Sequence, residues 1–277
     1  MADSRRAFCL LLCGVLLFSS GLLHAERAYR FGVVPQFEPR HLARIWNPIL
    51  VELERGTGLK LHLSGSINIS TFERDFRQGR FDFVYMNPYH ALIASEQQAY
   101  QPLVRDGGRS LFGILLVAKT SPITSIQELN EQMVLFPSPN ALGASLLMRA
   151  ELGAQGISVK PHYVKTHSSV YTNLLLGRAV AGGGVVGTLK RQKQVVQDNL
   201  RILYWTHAIA PHPVMVHPRV SQRDREAVKR AFLAMGESKT GRALLANVPI
   251  KKIISATMQD YAPLKGMGLE NYVVQPQ

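Results

Sequence analysis

The chain has 277 residues, 46% of them apolar, 18% charged and 8% aromatic, which excludes a disordered or fibrous polymer and supplies apolar side chain for one or two cores. Its two cysteines, Cys9 and Cys13, share one N-terminal apolar run, which excludes a disulfide framework. A net charge of +13 suits an acidic partner or small anionic ligands.

Residues 1–25 read as a secretory signal peptide: Arg5 and Arg6, an apolar stretch from Ala7 to Phe18, then small residues up to Ala25. Gly14, Ser19 and Ser20 interrupt it before the roughly 20 apolar residues a bilayer span requires. Cleavage after Ala25 is expected, which places a cysteine-free chain in the periplasm. That removes thiol catalysis and Cys-ligated metals from consideration.

From Tyr29 the pattern alternates. A strand over 29–34 precedes a helix carrying Leu42, Ile45, Trp46, Ile49, Leu50 and Leu53, ended by Gly56-Thr57-Gly58. Pro48 should kink it or mark a second start capped by Asn47. Strands are predicted over 59–63, 81–86, 111–118, 133–136, 161–164, 181–186, 201–205 and 214–217. Helices fall between them over 71–78, from Pro88, over 142–152 (stopped by Gly153), 169–176 and 188–197. Ser125 caps a short helix, and Ser221 with Asp224 opens a last one that ends at Gly236. Strands alternating with helices predict an α/β fold with mostly parallel sheets.

Such sheets take ligands outside the carboxyl ends of their strands. Three strand ends lead into small or polar residues at a helix start: Asn87-Pro88-Tyr89, Pro137 to Gly143, and Lys165 to Ser169. Free N–H groups there can face an anion, or Asn87, Asn140 and Ser168 can simply be caps. From Gln132 through Arg223 there are ten Lys or Arg but only two acids, Glu151 and Asp198, so a ligand amine would lack partners.

Phe31-Gly32-Val33-Val34-Pro35, Trp46-Asn47-Pro48, the run from Gly79 to Pro88, Ser121-Pro122-Ile123 and Thr166 to Val170 give the chain a resemblance. From Tyr29 to Met235 it resembles the periplasmic substrate-binding proteins of phosphate, phosphite and phosphonate ATP-driven importers. The resemblance implies two lobes, 26–117 plus 208–277 and 118–207, joined by two crossing strands of a type II periplasmic-binding-protein fold. It implies a cleft lined by Gln36, Phe37, Asn87 and Tyr89 from lobe one. Lobe two would contribute Ser138, Asn140, Ala141, Leu142, Gly143, His167, Ser168 and Ser169, with Thr206 near the return crossing. The anion would sit at the helix starts with His167 donating, while Tyr89 and Phe37 cover its other end. Two positions depart from the family pattern. Ala141 to Ala144 replace a Ser/Thr cluster, and Val180 stands where an Asp is common, which argues against an aminoalkyl phosphonate.

The implied function is capture of a small oxyanion by a monomer that hands it to a permease and its ATPase. The alternatives are a sensing module feeding a membrane receptor or kinase, and a secreted enzyme. For the enzyme only His167 is a strong acid–base candidate. No nucleophile motif, nucleotide loop, cofactor site or nucleic-acid-binding stretch is present. His207, His212 and His217 alternate faces between prolines, so no metal site is expected. Gly182-Gly183-Gly184 reads as a close-packed strand or a hinge.

Overall fold

The computed structural model describes residues 28–248 and 250–274; the expected signal segment and both cysteines lie outside them. In chain order the strands are β1 (Tyr29–Val33), β2 (Leu61–Gly65), β3 (Phe83–Tyr85), β4 (Gln101–Asp106), β5 (Gly113–Ala118), β6 (Met133–Phe136), β7 (Lys160–Tyr163), β8 (Ala181–Val185), β9 (Leu200–Trp205), β10 (Pro213–Val216) and β11 (Ile253–Ser255). The helices are α1 (Pro39–Thr57), α2 (Ile69–Arg77), α3 (Pro88–Gln98), α4 (Leu147–Ala154), α5 (His167–Leu175), α6 (Val186–Leu189), α7 (Gln194–Asp198), α8 (Gln222–Glu237) and α9 (Lys239–Ala246). Among the described residues no helix is long and apolar enough to cross a membrane.

Two sheets form, in the orders β11-β4-β10-β3-β1-β2 and β7-β6-β8-β5-β9. The chain leaves the first after β4, builds the second, and returns in β10. In the first sheet β1 to β4 share one direction; β10 lies between β3 and β4 and runs against both, as does β11 against β4. In the second, β6 to β9 share one direction and β5 opposes its neighbours β8 and β9. The expected parallel direction therefore holds for most strands. The adjacent pairings, however, are mixed, because each sheet contains a strand that arrives from the other sheet without a crossover helix.

The apolar stripe foreseen on α1 is buried against β2, α8 and α9. Each such side chain contributes about 1.5–3 kcal/mol on leaving water. Pro48 neither starts nor ends this helix: Asn47 and Pro48 are exposed, and the lost hydrogen bond falls on the solvent side. Gly58, at φ 72°, terminates it. The helix expected over 142–152 is a π-turn at Leu142–Leu146 running into α4; Gly153 lies inside α4 rather than ending it. The helix expected over 188–197 is two short pieces, α6 and α7. β4 went unforeseen because Pro102, Arg105 and Asp106 break its apolar run. After β11 two 3-10 stretches, Met258–Gly266 and Leu269–Tyr272, pack Tyr261, Leu264 and Leu269 onto Leu92 of α3 and onto Leu142, Leu146 and Leu147.

Candidate ligand-binding site

The carboxyl ends of β1, β3 and β6 and the start of β10 meet in one pocket. It is lined by Val34, Gln36, Ile69, Asn87, Ala141, Leu142, Gly143, Ala144, His167 and His212. The cavity between these walls is narrow, ≈ 20 Å³, and among the described residues no Lys, Arg, Asp or Glu lines it.

The second-sheet wall is the π-turn that follows β6. Ser145 N–H is the first amide to bond back within it, to Ala141 O at 2.8 Å, so among the described residues the amides of Leu142, Gly143 and Ala144 find no partner inside the turn. Glycines let this turn seat deeply. A Cβ on Gly183 of β8 would stand 1.8 Å from the Ala144 carbonyl oxygen, and one on Gly113 of β5 2.0 Å from that of Gly143. The triple glycine is thus a packing device. Arg149 fixes the other end of the loop, donating to the carbonyls of Pro139 and Tyr272, each at 2.7 Å.

His167 is the first residue of α5 and is buried; its Nδ1 lies 3.2 Å from Thr188 Oγ1. Burial pushes its pKa down from 6.5 to about 4, so it is neutral at pH 7. The cap of α5 is Thr166, which accepts from Ser169 N–H. Ser168 and Ser169 therefore do not reach the pocket: exposed Ser168 Oγ accepts from Gln192, and Ser169 Oγ bonds Thr166.

On the first-sheet side Asn87 caps α3 by accepting from His90 N–H at 2.8 Å, and its Nδ2 donates to Asn140 O at 3.3 Å. Asn140 caps nothing. Its Nδ2 donates to Glu73 Oε2 at 3.0 Å and to Val274 O at 2.7 Å, and its Oδ1 accepts from Val274 N–H. Glu73, on α2, also holds His90 at 2.9 Å, making a buried polar bridge between α2, α3 and the π-turn loop.

Gln36 Nε2 lies 3.0 Å from His212 Nε2. Phe37 instead lines an adjoining apolar crevice with Val33, Val34, Ile45, Trp46 and Tyr85. The Arg191 guanidinium, from the α6–α7 segment, lies 5.3 Å over the Phe37 ring and donates to Asn247 O, closing over that crevice. Tyr89 is not among the pocket-lining residues; it packs against the apolar cluster that contains Leu142, Leu146 and Leu264. Thr206 Oγ1 accepts from Gly113 N–H at 2.8 Å at the crossing between sheets, and Ser138 Oγ is buried without a partner, neither lining the pocket.

His212 is a pocket residue the sequence reading did not select, because its prolines suggested a surface loop. It is stacked on Tyr85 at 5.3 Å and buried, and burial pushes its pKa down from 6.5 to about 3, with His90 and His167 adding to the effect. His207 lies exposed against Glu151, and His217 packs on Tyr100. The three histidines share no site.

Two sheets, two crossings and a pocket between strand ends define a two-lobed, type II periplasmic binding protein. Residues 31–261 match the family described as ABC transporter, phosphonate, periplasmic substrate-binding protein, and the chain belongs to that family. It is 20% identical over 262 residues to the phosphonates-binding periplasmic protein of Escherichia coli K12, covering 88% of this chain and 77% of that one. PhnD1 of Prochlorococcus marinus, solved with methylphosphonate, has the same fold with a TM-score of 0.80 at 16% identity, covering 90% of this chain and 100% of that one. The binding component of an ABC phosphonate transporter from Pseudomonas aeruginosa gives 0.79 at 14% identity, covering 87% and 85%. The family is one of binding proteins, not enzymes.

Proposed function

We propose that this protein captures a phosphonate-like oxyanion between lobes formed by 26–117 with 208–277 and by 118–207. It then delivers the anion, as a monomer, to a permease driven by an ATPase. The observation that supports this best is the uncharged pocket beside amides that find no partner inside their turn. Gly143 and Ala144 at the π-turn and His167 at the start of α5 face Asn87 and Gln36 across a narrow cavity that must widen to admit a small anion. Hydrogen bonds to a charged oxygen are worth about 1.5–3 kcal/mol each. Four or five of them, less the cost of closure, correspond to micromolar binding, about −8 kcal/mol.

The lining also disfavours an amine. No carboxylate borders the pocket, and Glu73 is engaged by His90 and Asn140. Thermal-shift screening of methylphosphonate, phosphite, phosphate and 2-aminoethylphosphonate tests the reading. Methylphosphonate should stabilise the protein and the aminoalkyl compound should do so less; no stabilisation by any of the four contradicts it. Export is part of the same proposal. Intact mass of protein recovered from the periplasm should correspond to a chain beginning at Glu26, and retention of residues 1–25 contradicts cleavage.

A further inference from the structure

We propose that oxyanion binding draws one proton from solvent into the His167–His212 pair, so that this site binds its ligand as an anion plus a proton. The inference rests on the oxyanion reading above and adds a partner to it, His212.

The hydrogen-bond contacts of each ring suit a neutral starting state. Thr188 donates its hydroxyl proton to Val185 O at 2.9 Å and lies 2.6 Å from Tyr171 OH. The Tyr171 hydroxyl is 3.4 Å from the same carbonyl, so the shorter Thr188 bond fixes the direction of the chain. Thr188 Oγ1 then accepts from His167 Nδ1–H, and in the neutral ring Nε2 is a lone pair. A lone pair repels an oxyanion; a protonated Nε2 donates to it. Gln36 Nε2, 3.0 Å from His212 Nε2, donates to that nitrogen when the ring is neutral. Rotation of the Gln36 amide would present Oε1 instead and accept from a protonated ring, so the side chain can serve both charge states.

Nothing else in the pocket supplies charge. Tyr85 of β3 stacks on His212, His167 of α5 shares its pocket, and His90 of α3, itself on Glu73 of α2, adds to its electrostatics. Arg109, Arg191 and Asp106 act on Tyr85 and none of them lines the pocket. His167 faces Thr188 of α6 and Tyr171 of its own helix. With both rings neutral in the empty site, an entering anion meets no cation, and one proton is the charge the site can recruit without moving a side chain in.

The test is titration calorimetry with methylphosphonate, at a pH where the free ligand is fully ionised, in two buffers of different ionisation enthalpy. Uptake of close to one proton is expected, with affinity rising about tenfold for each pH unit lowered. His167→Gln, an uncharged donor, should bind with little or no uptake, and His212→Gln should reduce it. Nitrogen NMR of the wild-type histidines supports the proposal independently of the variants if ligand converts a buried ring to imidazolium. Binding with no proton uptake, or uptake unchanged in both variants, overturns the inference and leaves the oxyanion reading standing. No binding of methylphosphonate, phosphate or sulfate at any pH overturns both.

Discussion

Gly183→Ala tests whether the glycine strand β8 seats the anion-binding turn. The added Cβ would lie 1.8 Å from the Ala144 carbonyl oxygen and 2.7–2.8 Å from the Phe136 ring, both fully buried. The nearest atom is backbone, so no rotamer change relieves the clash and the turn must move away from the sheet. Overpacking of this kind costs about 1–3 kcal/mol. Contact with a main-chain oxygen puts Gly183→Ala near the upper end, a fall of about 6–12 °C in Tm. The displaced oxygen belongs to the Ala144–Ser145 peptide, which directly follows the Gly143 and Ala144 amides in the turn, so affinity for methylphosphonate should drop at least tenfold, about 1.4 kcal/mol. Gly65→Ala is the control: it is exposed at the end of β2 with nothing within 4 Å of its Cβ, and should stay within about 0.5 kcal/mol of wild type. Differential scanning calorimetry with and without ligand reads both quantities. A Gly183→Ala protein that melts and binds like Gly65→Ala would refute the packing argument.

Three further outcomes follow from the same geometry. Glu73→Ala removes the acceptor for His90 and Asn140, leaving buried donors unpaired at about 1–3 kcal/mol each; chemical denaturation should show that loss, and wild-type stability would mean the bridge is idle. Arg191→Ala removes the contact over Phe37 and the bond to Asn247 O. At about 0.5–1 kcal/mol for the ring contact this should speed ligand release a few-fold in stopped-flow, and an unchanged rate would contradict it. In the ligand-free protein His167 and His212 are held neutral while their unfolded forms protonate near 6.5, so the unfolded state binds more protons. Stability is therefore complete above pH 6.5 and falls as pH is lowered, by about 1.4 kcal/mol per unit per histidine, toward about 4 for His167 and about 3 for His212. His167→Gln and His212→Gln should each flatten the slope of Tm between pH 6.5 and 5, and an unaltered slope would show that other groups carry it.

The alternation of strands and helices was legible because each element announces itself locally. The α1 stripe, the Ser125 cap and the Ser221 cap all stand where their spacing puts them. What was not legible depends on distant chain. Pro102 hides β4 in sequence, and only β10 and β11 on either side make it a strand. Asn140 looks like a cap, but Glu73 and Val274, 67 and 134 residues away, decide its role. The pair Ser168-Ser169 was the natural choice for an oxyanion, yet Thr166 takes the cap and holds the Ser169 hydroxyl, while exposed Ser168 pairs with Gln192. His212 has no local signature at all. It enters the site because β10 returns between β3 and β4 and brings its first turn of chain against Tyr85 and Gln36.

A crystal structure of the protein grown with methylphosphonate tests the central claim most directly. The account predicts an oxyanion between Gly143–Ala144 and Asn87, with His167 and His212 within hydrogen-bonding distance of its oxygens. Ligand density elsewhere on the molecule, with this pocket empty, would contradict it.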